Sequence, residues 1–317
     1  MQVHFQLDAL PRFKNAVITI GTFDGVHTGH QAILKTLLEQ AAQVNGESIV
    51  ITFHPHPRRV LNNADAPSLL TSLDERIERF HEYGIDHLVI VSFDPSFSEM
   101  TADEYVEQFL VGNFHPKCIV IGYDHRYGKN RAGDFALLSE LGKKYNYSVC
   151  EIPEKTLNDS RISSTHVRQA LLTGNIKLAN HLLSYPFQLE GKVVEGDKLG
   201  RTLGFPTANL YITDSDKIIP ASGVYAVSVF LKGPLGTRNF QGMMNIGYRP
   251  TVNGKERRIE VHIFSFDEVI YGEKLKVELL DYVRKEMKFS GLEALKEQLM
   301  YDKAMIENLL TNFRPEA

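Results

Sequence analysis

Short apolar runs alternate with segments of helical periodicity along the first half of the chain. The apolar runs cover residues 16–20, 48–53, 87–93, 117–123 and 147–152. Between them, one helical face is formed by Ile33, Leu34, Leu37, Leu38 and Ala41. A second face is formed by Leu73, Ile77 and Phe80 and ends at Gly84, and Thr101 with Glu104 has the spacing of a capping box. This alternation predicts an α/β domain whose parallel sheet is covered on both faces.

The pattern changes at Tyr185-Pro186, because proline disfavours helix at the residue before it and interrupts the helical run 164–184. From 187 to 283 we find strands and turns without a convincing helix. The clearest strands are 223–231, 240–246, 258–266 and 274–283. Residues 290–312 then predict a closing amphipathic helix. We therefore expect two domains, 1–184 with a parallel sheet and 185–317 with a compact β-barrel and one terminal helix.

Composition narrows the class of protein. A length of 317 residues suits two domains, and 43% hydrophobic with 23% charged residues is typical of soluble globular proteins. The net charge of −4 gives no global basic field, so we expect neither nucleic acid nor membrane as a partner. Residues 1–10 show no secretory leader, and the apolar runs are too short to span a bilayer. Cys118 and Cys150 are interpreted as buried thiols rather than a disulfide, and the cytoplasm as the location.

The segment 21–30 (GTFDGVHTGH) follows the first predicted strand and opens the first predicted helix. Its glycines let the backbone approach a phosphate closely, and a helix start presents free N–H groups to an anion. His27 and His30 can both donate hydrogen bonds to non-bridging oxygens as charge builds in a nucleotidyl transition state. The alternatives are a tight turn with incidental histidines or a weak two-histidine metal site. The position after the first strand favours the phosphate site.

A second element, residues 161–168 (RISSTHVR), precedes the last helix of the first half. Its hydroxyls at Ser163, Ser164 and Thr165 can cap helix N–H groups or bind phosphate, and Arg168 lies one turn further along. Alone, this segment is more typical of a plain helix cap. Together with the histidine segment it favours phosphate binding.

The second half carries residues 196–209 (GDKLGRTLGFPTAN) and lacks a Walker P-loop. Gly196, Gly200 and Gly204 with Lys198 and Arg201 suit a flexible flap over phosphates. Thr207 and Asn209 offer two hard oxygen donors on one side of an extended segment, which suits Mg²⁺ beside substrate phosphates. By residue type alone, a glycine-rich hairpin followed by a Pro-Thr turn is the favoured alternative.

The paired motifs 21–30 and 162–168 resemble the adenylyltransferase module of bacterial FAD synthetases. Residues 53–58 (FHPHPR) and 122–129 (GYDHRYGK) resemble two further loops of that module. The resemblance implies a Rossmann-like nucleotidyltransferase domain with His27, His30 and Arg168 as catalytic residues. The implied ATP-binding residues are Gly21, Thr22, Phe23, Asp24, His27, His30, Asp124, Ser163, Ser164, Thr165 and Arg168. The implied FMN-binding residues are Phe53, Pro55, Pro57, Arg58 and Tyr127.

These loops allow one alternative interpretation and contain one departure from the family pattern. Without the family, His54 and His56 would be interpreted as surface loop residues. His125 stands where the family usually has an aromatic residue such as phenylalanine, so flavin stacking at that position is less expected.

The second half resembles riboflavin kinases, because a series of short motifs follows in the order of that family. These are Pro206-Thr-Ala-Asn209, Gly223-Val-Tyr225, Asn245-Ile-Gly247 with Pro250-Thr251, Glu260-Val-His262, Tyr271-Gly272, Arg284 and Phe289. The resemblance implies that Glu260 is the general base for the riboflavin 5′-hydroxyl and that Thr207 and Asn209 hold Mg²⁺. The implied ATP-binding residues are Gly196, Lys198, Gly200, Arg201, Gly204, Phe205, Pro206, Thr207 and Asn209. The implied riboflavin-binding residues are Asn245, Glu260 and Arg284.

Two assignments keep alternatives. Glu260 without the family would be a strand-face acid, and Arg284 could form a surface salt bridge instead of holding the flavin. His262 shares a strand face with Glu260 and is interpreted as structural.

The function implied by both resemblances is the synthesis of flavin cofactors. The barrel is expected to phosphorylate riboflavin with MgATP, and the sheet domain to adenylylate FMN with ATP, giving FAD and pyrophosphate. The expected ligands are thus riboflavin, FMN, FAD and ATP, with Mg²⁺ as cofactor. Two alternatives remain: a transferase for another phosphorylated alcohol with an idle barrel, and a non-catalytic flavin-binding or RNA-binding regulator. The intact histidine pair, Thr207 with Asn209, and Glu260 favour the enzyme.

Overall fold

The computed structural model describes residues 1–61, 66–152, 162–233, 236–251 and 254–311, without the side chains of 249–251 and 254–256. The chain divides into two compact units, Met1–Ser164 and Thr165–Ala317. Among the described residues no helix is both long and apolar enough to cross a membrane. Cys118 is a buried free thiol and Cys150 a half-buried one.

A parallel sheet organises the first unit. Its strands are β1 (Gln2–His4), β2 (Val17–Ile20), β3 (Ser48–His54), β4 (His87–Ser92), β5 (Cys118–Gly122) and β6 (Ser148–Ile152). They lie in the order β1-β4-β3-β2-β5-β6, and every neighbouring pair is parallel. The order reverses direction between β2 and β5, which makes that gap the switch point where such sheets bind ligands.

Helices cover both faces of this sheet. They are α1 (Thr28–Gln43), α2 (Pro57–Leu61), α3 (Leu73–Glu82), α4 (Pro95–Ser98), α5 (Ala102–Glu104), a π-helical segment (Tyr105–Val111), α6 (Gly112–Phe114) and α7 (Phe135–Tyr145). The predicted capping box of Thr101 and Glu104 is present at α5. A second capping box, formed by Ser72 and Glu75, begins α3.

Two apolar cores lie on opposite faces of the sheet, because alternate strand residues point to opposite sides. Ile18 and Ile20 of β2 belong to the core that also holds Phe109 and Phe114. Val17 of the same strand belongs to the core beneath α1 and α3. Coverage of both faces explains why the strand sequences are apolar at consecutive positions.

The second unit is a closed antiparallel barrel. Two helices, α8 (Ser164–Leu172) and α9 (Ile176–Leu183), precede it along the chain. The barrel strands are β7 (Gln188–Val194), β8 (Ala208–Tyr211), β9 (Gly223–Gly233), β10 (Gly236–Thr251), β11 (Gly254–Ile263) and β12 (Lys274–Arg284), in the order β10-β11-β8-β7-β12-β9. The terminal helix α11 (Leu292–Thr311) packs Ile306 and Leu310 onto the barrel beside Ala226.

The fold class predicted from the sequence is confirmed, and two local expectations need correction. The segment 187–283 does contain a helix, the short α10 (Leu199–Thr202). The helical run 164–184 is two helices rather than one, since Gly174 between them has φ +78°. Both α8 and α9 lie almost wholly in the second compact unit, where the Asn180 side chain donates to the Leu279 carbonyl of β12 at 2.8 Å.

Candidate active sites

The turn between β2 and α1 lies at the carboxyl end of the central strand, at the switch point. Its backbone is unusual, because Phe23 (φ +48°) and Val26 (φ +36°) adopt left-handed conformations that β-branched and bulky residues rarely take. Such conformations persist only where the surroundings hold them, and they cluster at functional sites.

The two imidazoles of this turn stack on each other. The ring centroids of His27 and His30 are 3.7 Å apart with 17° between the planes. His27 is the N-cap of α1, where its Nδ1 accepts the His30 N–H at 3.4 Å, so its neutral form carries the proton on Nε2. Nδ1 of His30 is buried and has no hydrogen-bond partner among the described residues. The sequence predicted both residues as phosphate ligands, and the structure brings them together.

The pKa of His30 is well below its ordinary value. Burial is the largest cause, and the neighbouring His27 and Arg76 lower it further. His30 is therefore neutral near pH 7, with one N–H to donate.

A second segment, residues 70–71, holds the turn from the side. The Asp24 carboxylate accepts hydrogen bonds from Leu70 N at 2.9 Å and Thr71 N at 3.1 Å, and Gly25 N donates to Thr71 Oγ1 at 3.0 Å. Asp24 is 2% exposed. Ser164 Oγ donates to the Asp24 carbonyl at 2.9 Å, so this hydroxyl ties the second motif to the first. These bonds explain how the strained turn keeps its shape.

Sequence reasoning missed Arg76. This α3 residue is 2% exposed, and its Nη1 donates to the Thr22 carbonyl at 2.7 Å and to Thr52 Oγ1 at 3.2 Å. The available signal was an arginine within the apolar face marked by Leu73, Ile77 and Phe80.

The loop after β5 reaches the other side of the switch point. Asp124 is exposed, while Tyr127 is buried with its hydroxyl unpaired among the described residues. A Cβ at Gly133 would overlap the Tyr127 ring, so glycine is required there. His125 is half-buried, and its ring centroid is 6.0 Å from that of Tyr127 at 27°. Burial lowers the pKa of His125 to about 4, with Arg131 adding to the shift and Asp124 opposing it.

The end of β3 and the residues that follow it place the predicted FMN ligands in different surroundings. Phe53 is 8% exposed and packs 5.6 Å from Phe97, which also borders a cavity of about 590 Å³ at the end of β4. Pro55 and Arg58 are exposed and Pro57 is half-buried. His54 is exposed as its residue type suggests, whereas His56 is buried and accepts the Arg58 N–H at 3.2 Å.

The barrel places three polar residues side by side. Glu260 of β11 pairs directly with Asn209 of β8 on one side and with Asn245 of β10 on the other. Directly opposed residues project to the same side of a sheet, so the carboxylate lies between two amides. All three are half-buried. The predicted Mg²⁺ ligand Asn209 and the predicted base Glu260 thus share one face, and Thr207 precedes β8 by one residue.

The glycine-rich segment lies against this face. A Cβ at Gly196 would overlap the Asn209 side chain, so only glycine fits. The next residue, Asp197, forms an ion pair of 2.7 Å with Arg258, two residues before Glu260 on β11. Lys198 and Arg201 are exposed. The sequence predicted a flap here, and the ion pair connects this segment to the strand that carries Glu260, the predicted base.

His262 lies 7% exposed on β11, with Nδ1 2.8 Å from the Pro206 carbonyl. Burial lowers its pKa, and a carbonyl can only accept, so the neutral ring carries its proton on Nδ1. The ring also packs edge-on against Phe205 at 5.2 Å. This histidine therefore holds the segment that leads into Thr207.

Arg284 of β12 forms an ion pair with α11. Its Nε and Nη2 donate to the Asp302 carboxylate at 2.9 and 2.6 Å, and Gln298 adds a bond of 2.8 Å to the same carboxylate. Asp302 is 1% exposed, so this salt bridge is buried rather than on the surface. Arg161 and the side chains of Pro250-Thr251 lie outside the described residues.

The described residues contain no group of three or more His, Cys, Asp or Glu side chains placed to hold a metal ion. A metal at either site would therefore depend on other oxygen donors. On the barrel face these are the hydroxyl of Thr207 and the amide of Asn209, which are hard donors of the kind Mg²⁺ prefers.

A parallel sheet with imidazoles and helix N–H groups at its switch point defines a nucleotide-binding transferase, and the barrel adds a second polar site. Comparison with known proteins identifies the family within this class. The FAD synthetase family model matches residues 10–166, and the riboflavin kinase family model matches residues 183–310. The chain belongs to the family of bifunctional riboflavin kinase/FMN adenylyltransferases, which confirms the resemblance found in the sequence.

Relatives with this name match most of the chain. The protein of Haemophilus influenzae is 39% identical over 289 residues, covering 91% of this chain and 92% of its own. That of Escherichia coli K12 is 40% identical over 289 residues, covering 91% of each chain. That of Bacillus subtilis is 37% identical over 305 residues, covering 94% of each. A crystal structure from Streptococcus pneumoniae, titled a macrolide-efflux protein, has a TM-score of 0.86 at 32% identity and covers 97% of this chain and 98% of its own.

Proposed function

We propose that this chain converts riboflavin to FMN at the barrel and FMN to FAD at the parallel sheet, using ATP in both steps. Family membership supports the pair of reactions. The observation that carries the proposal is the position of Glu260, between Asn209 and Asn245 on one barrel face. A carboxylate beside amide donors can take a hydroxyl proton.

In the kinase step, Glu260 takes the proton of the riboflavin 5′-hydroxyl as that oxygen bonds to the γ-phosphorus of ATP. The bond to the β-γ bridging oxygen breaks, and ADP leaves. Asn245 orients the flavin side of the site. Arg284, at the end of β12, helps to bind riboflavin, and its ion pair with Asp302 fixes its position.

The phosphates of this ATP are covered by the glycine-rich segment. Its residues Gly196, Lys198, Gly200, Arg201 and Gly204 supply close backbone approach and positive charge, and Phe205, Pro206, Thr207 and Asn209 complete the nucleotide side. Thr207 and Asn209 would hold Mg²⁺, which when bound neutralises phosphate charge. The residues themselves bind and orient the nucleotide.

In the adenylyl step, an FMN phosphate oxygen bonds to the α-phosphorus of ATP and pyrophosphate leaves. His27, with its proton on Nε2, and His30 donate hydrogen bonds to the oxygens that gain charge. Arg168, one turn along α8 from Ser164, adds a permanent positive charge. No covalent enzyme intermediate is needed, because both steps depend on positioning and charge stabilisation.

The remaining ligands of this site are the other residues that the sequence resemblance implies. Gly21, Thr22, Phe23, Asp24, Asp124, Ser163, Ser164 and Thr165 form the ATP side, and Phe53, Pro55, Pro57, Arg58 and Tyr127 form the FMN side. Since its carboxylate bonds to residues 70–71, Asp24 acts by shaping the turn. The buried hydroxyl of Tyr127, which has no hydrogen-bond partner among the described residues, suits a polar flavin atom.

We further propose that the catalytic modules divide at 184/185, as 1–184 and 185–317, with the cytoplasm as the site of action. The start of the riboflavin kinase match at residue 183 supports this division.

The test is a chromatographic product profile of purified protein incubated with riboflavin, ATP and Mg²⁺, for the natural chain, Glu260→Gln and His27→Ala. We expect Glu260→Gln to lose FMN formation while still converting supplied FMN to FAD, and His27→Ala to do the reverse. In each variant, the reaction that is retained shows that the protein is folded. Loss of both reactions in either folded variant would refute the two-site assignment.

A further inference from the structure

Arg76 is a buried charge that hydrogen-bonds to two groups at the ends of the central strands. Removing a guanidinium from water is unfavourable by several kcal/mol unless hydrogen bonds compensate it. Arg76 is 2% exposed, yet its Nη1 donates to a backbone carbonyl, that of Thr22, and to the Thr52 hydroxyl. The places of these two partners in the sheet indicate what the charge does.

Both partners lie at the carboxyl ends of the central strands. Thr22 is the second residue of the histidine-bearing turn, and Thr52 is in the last part of β3. The Thr22 carbonyl accepts a second bond from Thr52 Oγ1 at 3.2 Å, so two donors fix its direction. This carbonyl belongs to the peptide between Thr22 and Phe23, and Phe23 is the first residue of the turn with a left-handed backbone. Arg76 thus orients the turn at its start, while residues 70–71 hold it at Asp24 and Gly25.

The same guanidinium faces His30. The charged and titratable groups that act on His30 are His27, from the start of α1, and Arg76, from α3, with the Phe23 ring 5.1 Å away. A cation fixed inside the protein attracts phosphate charge without having to be reoriented when the substrate arrives. It also disfavours a second positive charge on the neighbouring imidazole.

We propose that Arg76 is a positioning residue of the adenylyl-transfer site, which fixes the Thr22 carbonyl and with it the His27–His30 turn, and supplies a permanent positive charge behind that turn. This inference rests on the proposed FMN adenylylation by the first unit. It extends the site to α3, from which the sequence had assigned no functional residue.

The test compares Arg76→Met, which removes the charge at similar length, with Arg76→Lys, which keeps it. Arg79→Met is the matched control, since Arg79 lies on the same helix and pairs with Glu82 at 2.8 Å. Each protein is assayed for FMN adenylylation from pH 5.5 to 9, with KM for ATP and kcat determined separately. Riboflavin phosphorylation by the same chain reports the integrity of the second unit.

We expect Arg76→Met to lower kcat/KM for ATP by on the order of 10- to 100-fold, as misplacing a catalytic turn does. The inflection that His30 contributes to the pH profile should move to higher pH in Arg76→Met and stay in place in Arg76→Lys. Arg79→Met should match the natural chain. A merely structural arginine would lower the amount of folded protein without moving the profile.

Two results would overturn the inference: an Arg76→Met protein within two-fold of the natural kcat/KM, or an unmoved pH profile in that variant. If Arg76→Met does not fold, the kinetics of Arg76→Lys test the inference. A reduced kcat with an unmoved profile supports the inference, and a natural kcat refutes it. A natural chain that makes no FAD from FMN would instead refute the proposed function.

Discussion

Lowering the pH from 7.5 to 5.5 should destabilise the first unit through His125, and replacing this residue with phenylalanine should remove that part of the effect. Folding lowers the pKa of His125 from 6.5 to about 4, so folding favours the neutral ring. The stability that this preference provides is complete above pH 6.5. It is lost as the pH falls from 6.5 towards 4, because the unfolded chain takes up a proton that the folded one does not.

The size of the effect follows from the shift. At pH 5.5 the unfolded imidazole is mostly protonated and the folded one mostly neutral, which lowers the free energy of unfolding by about 1 kcal/mol relative to pH 7.5. That figure allows for some solvent screening of a half-buried ring. Phenylalanine has the size and shape to occupy the same place beside Tyr127 and carries no titrating group.

Urea-dependent hydrogen exchange measures this in the full chain. Peptides from β5 report the first unit, and peptides from β9 report the barrel in the same sample. The loss of β5 stability between pH 7.5 and 5.5 should be about 1 kcal/mol smaller in His125→Phe than in the natural chain. His81→Phe, at an exposed position of α3, controls for the change of residue type. Equal losses in His125→Phe and the natural chain would show that His125 is not buried in its neutral form.

Three further changes test the barrel. Gly196→Ala should reduce riboflavin phosphorylation at least about 10-fold and leave FMN adenylylation unchanged, because its Cβ must displace Asn209. Product assays of both reactions measure this, and a kinase rate equal to that of the natural chain would refute the close fit. Asp302→Ala should lower the free energy of unfolding by about 3 kcal/mol and raise KM for riboflavin, since it leaves the half-buried Arg284 charge without its carboxylate. Denaturant unfolding and kinase kinetics measure both effects, and an unchanged unfolding midpoint would contradict the prediction. Thr207→Ala should raise the Mg²⁺ concentration needed for half-maximal kinase rate, while EDTA stops the natural enzyme; an unchanged Mg²⁺ titration would exclude Thr207 as a ligand.

The sequence predicted the parts of the fold that depend on periodicity. The strands buried on both faces were visible as continuous apolar runs, and the barrel as alternation without helices. The short α10 was missed because four residues are too few to show a helical period, and one of them is Gly200. The break between α8 and α9 was missed because one glycine in a helical pattern is usually tolerated.

The candidate sites were found where contiguous motifs carry them, and missed where partners are distant in sequence. The neighbours of Glu260 are Asn209 and Asn245, and only strand register reveals that these three share a face. Arg76 could not be assigned, because its bond to Thr22 spans the whole of α1 and β3. The ion pair between Arg284 and Asp302 likewise depends on how α11 returns to the barrel.

Helix α8 carries the adenylyltransferase motif, yet α8 and α9 both belong to the second compact unit, and this limits how the enzyme can be cut into single-activity fragments. A barrel fragment begun at residue 185 discards Asn180, which donates to Leu279 and accepts the N–H of Phe187 at 2.8 Å, and Lys177, which pairs with Asp281 at 3.0 Å. It would expose the apolar surface that α9 covers and is expected to aggregate. A fragment begun at residue 165 keeps these bonds, but takes Arg168 away from the adenylyltransferase. Two separately encoded proteins could therefore replace this chain only if α8 were present in both.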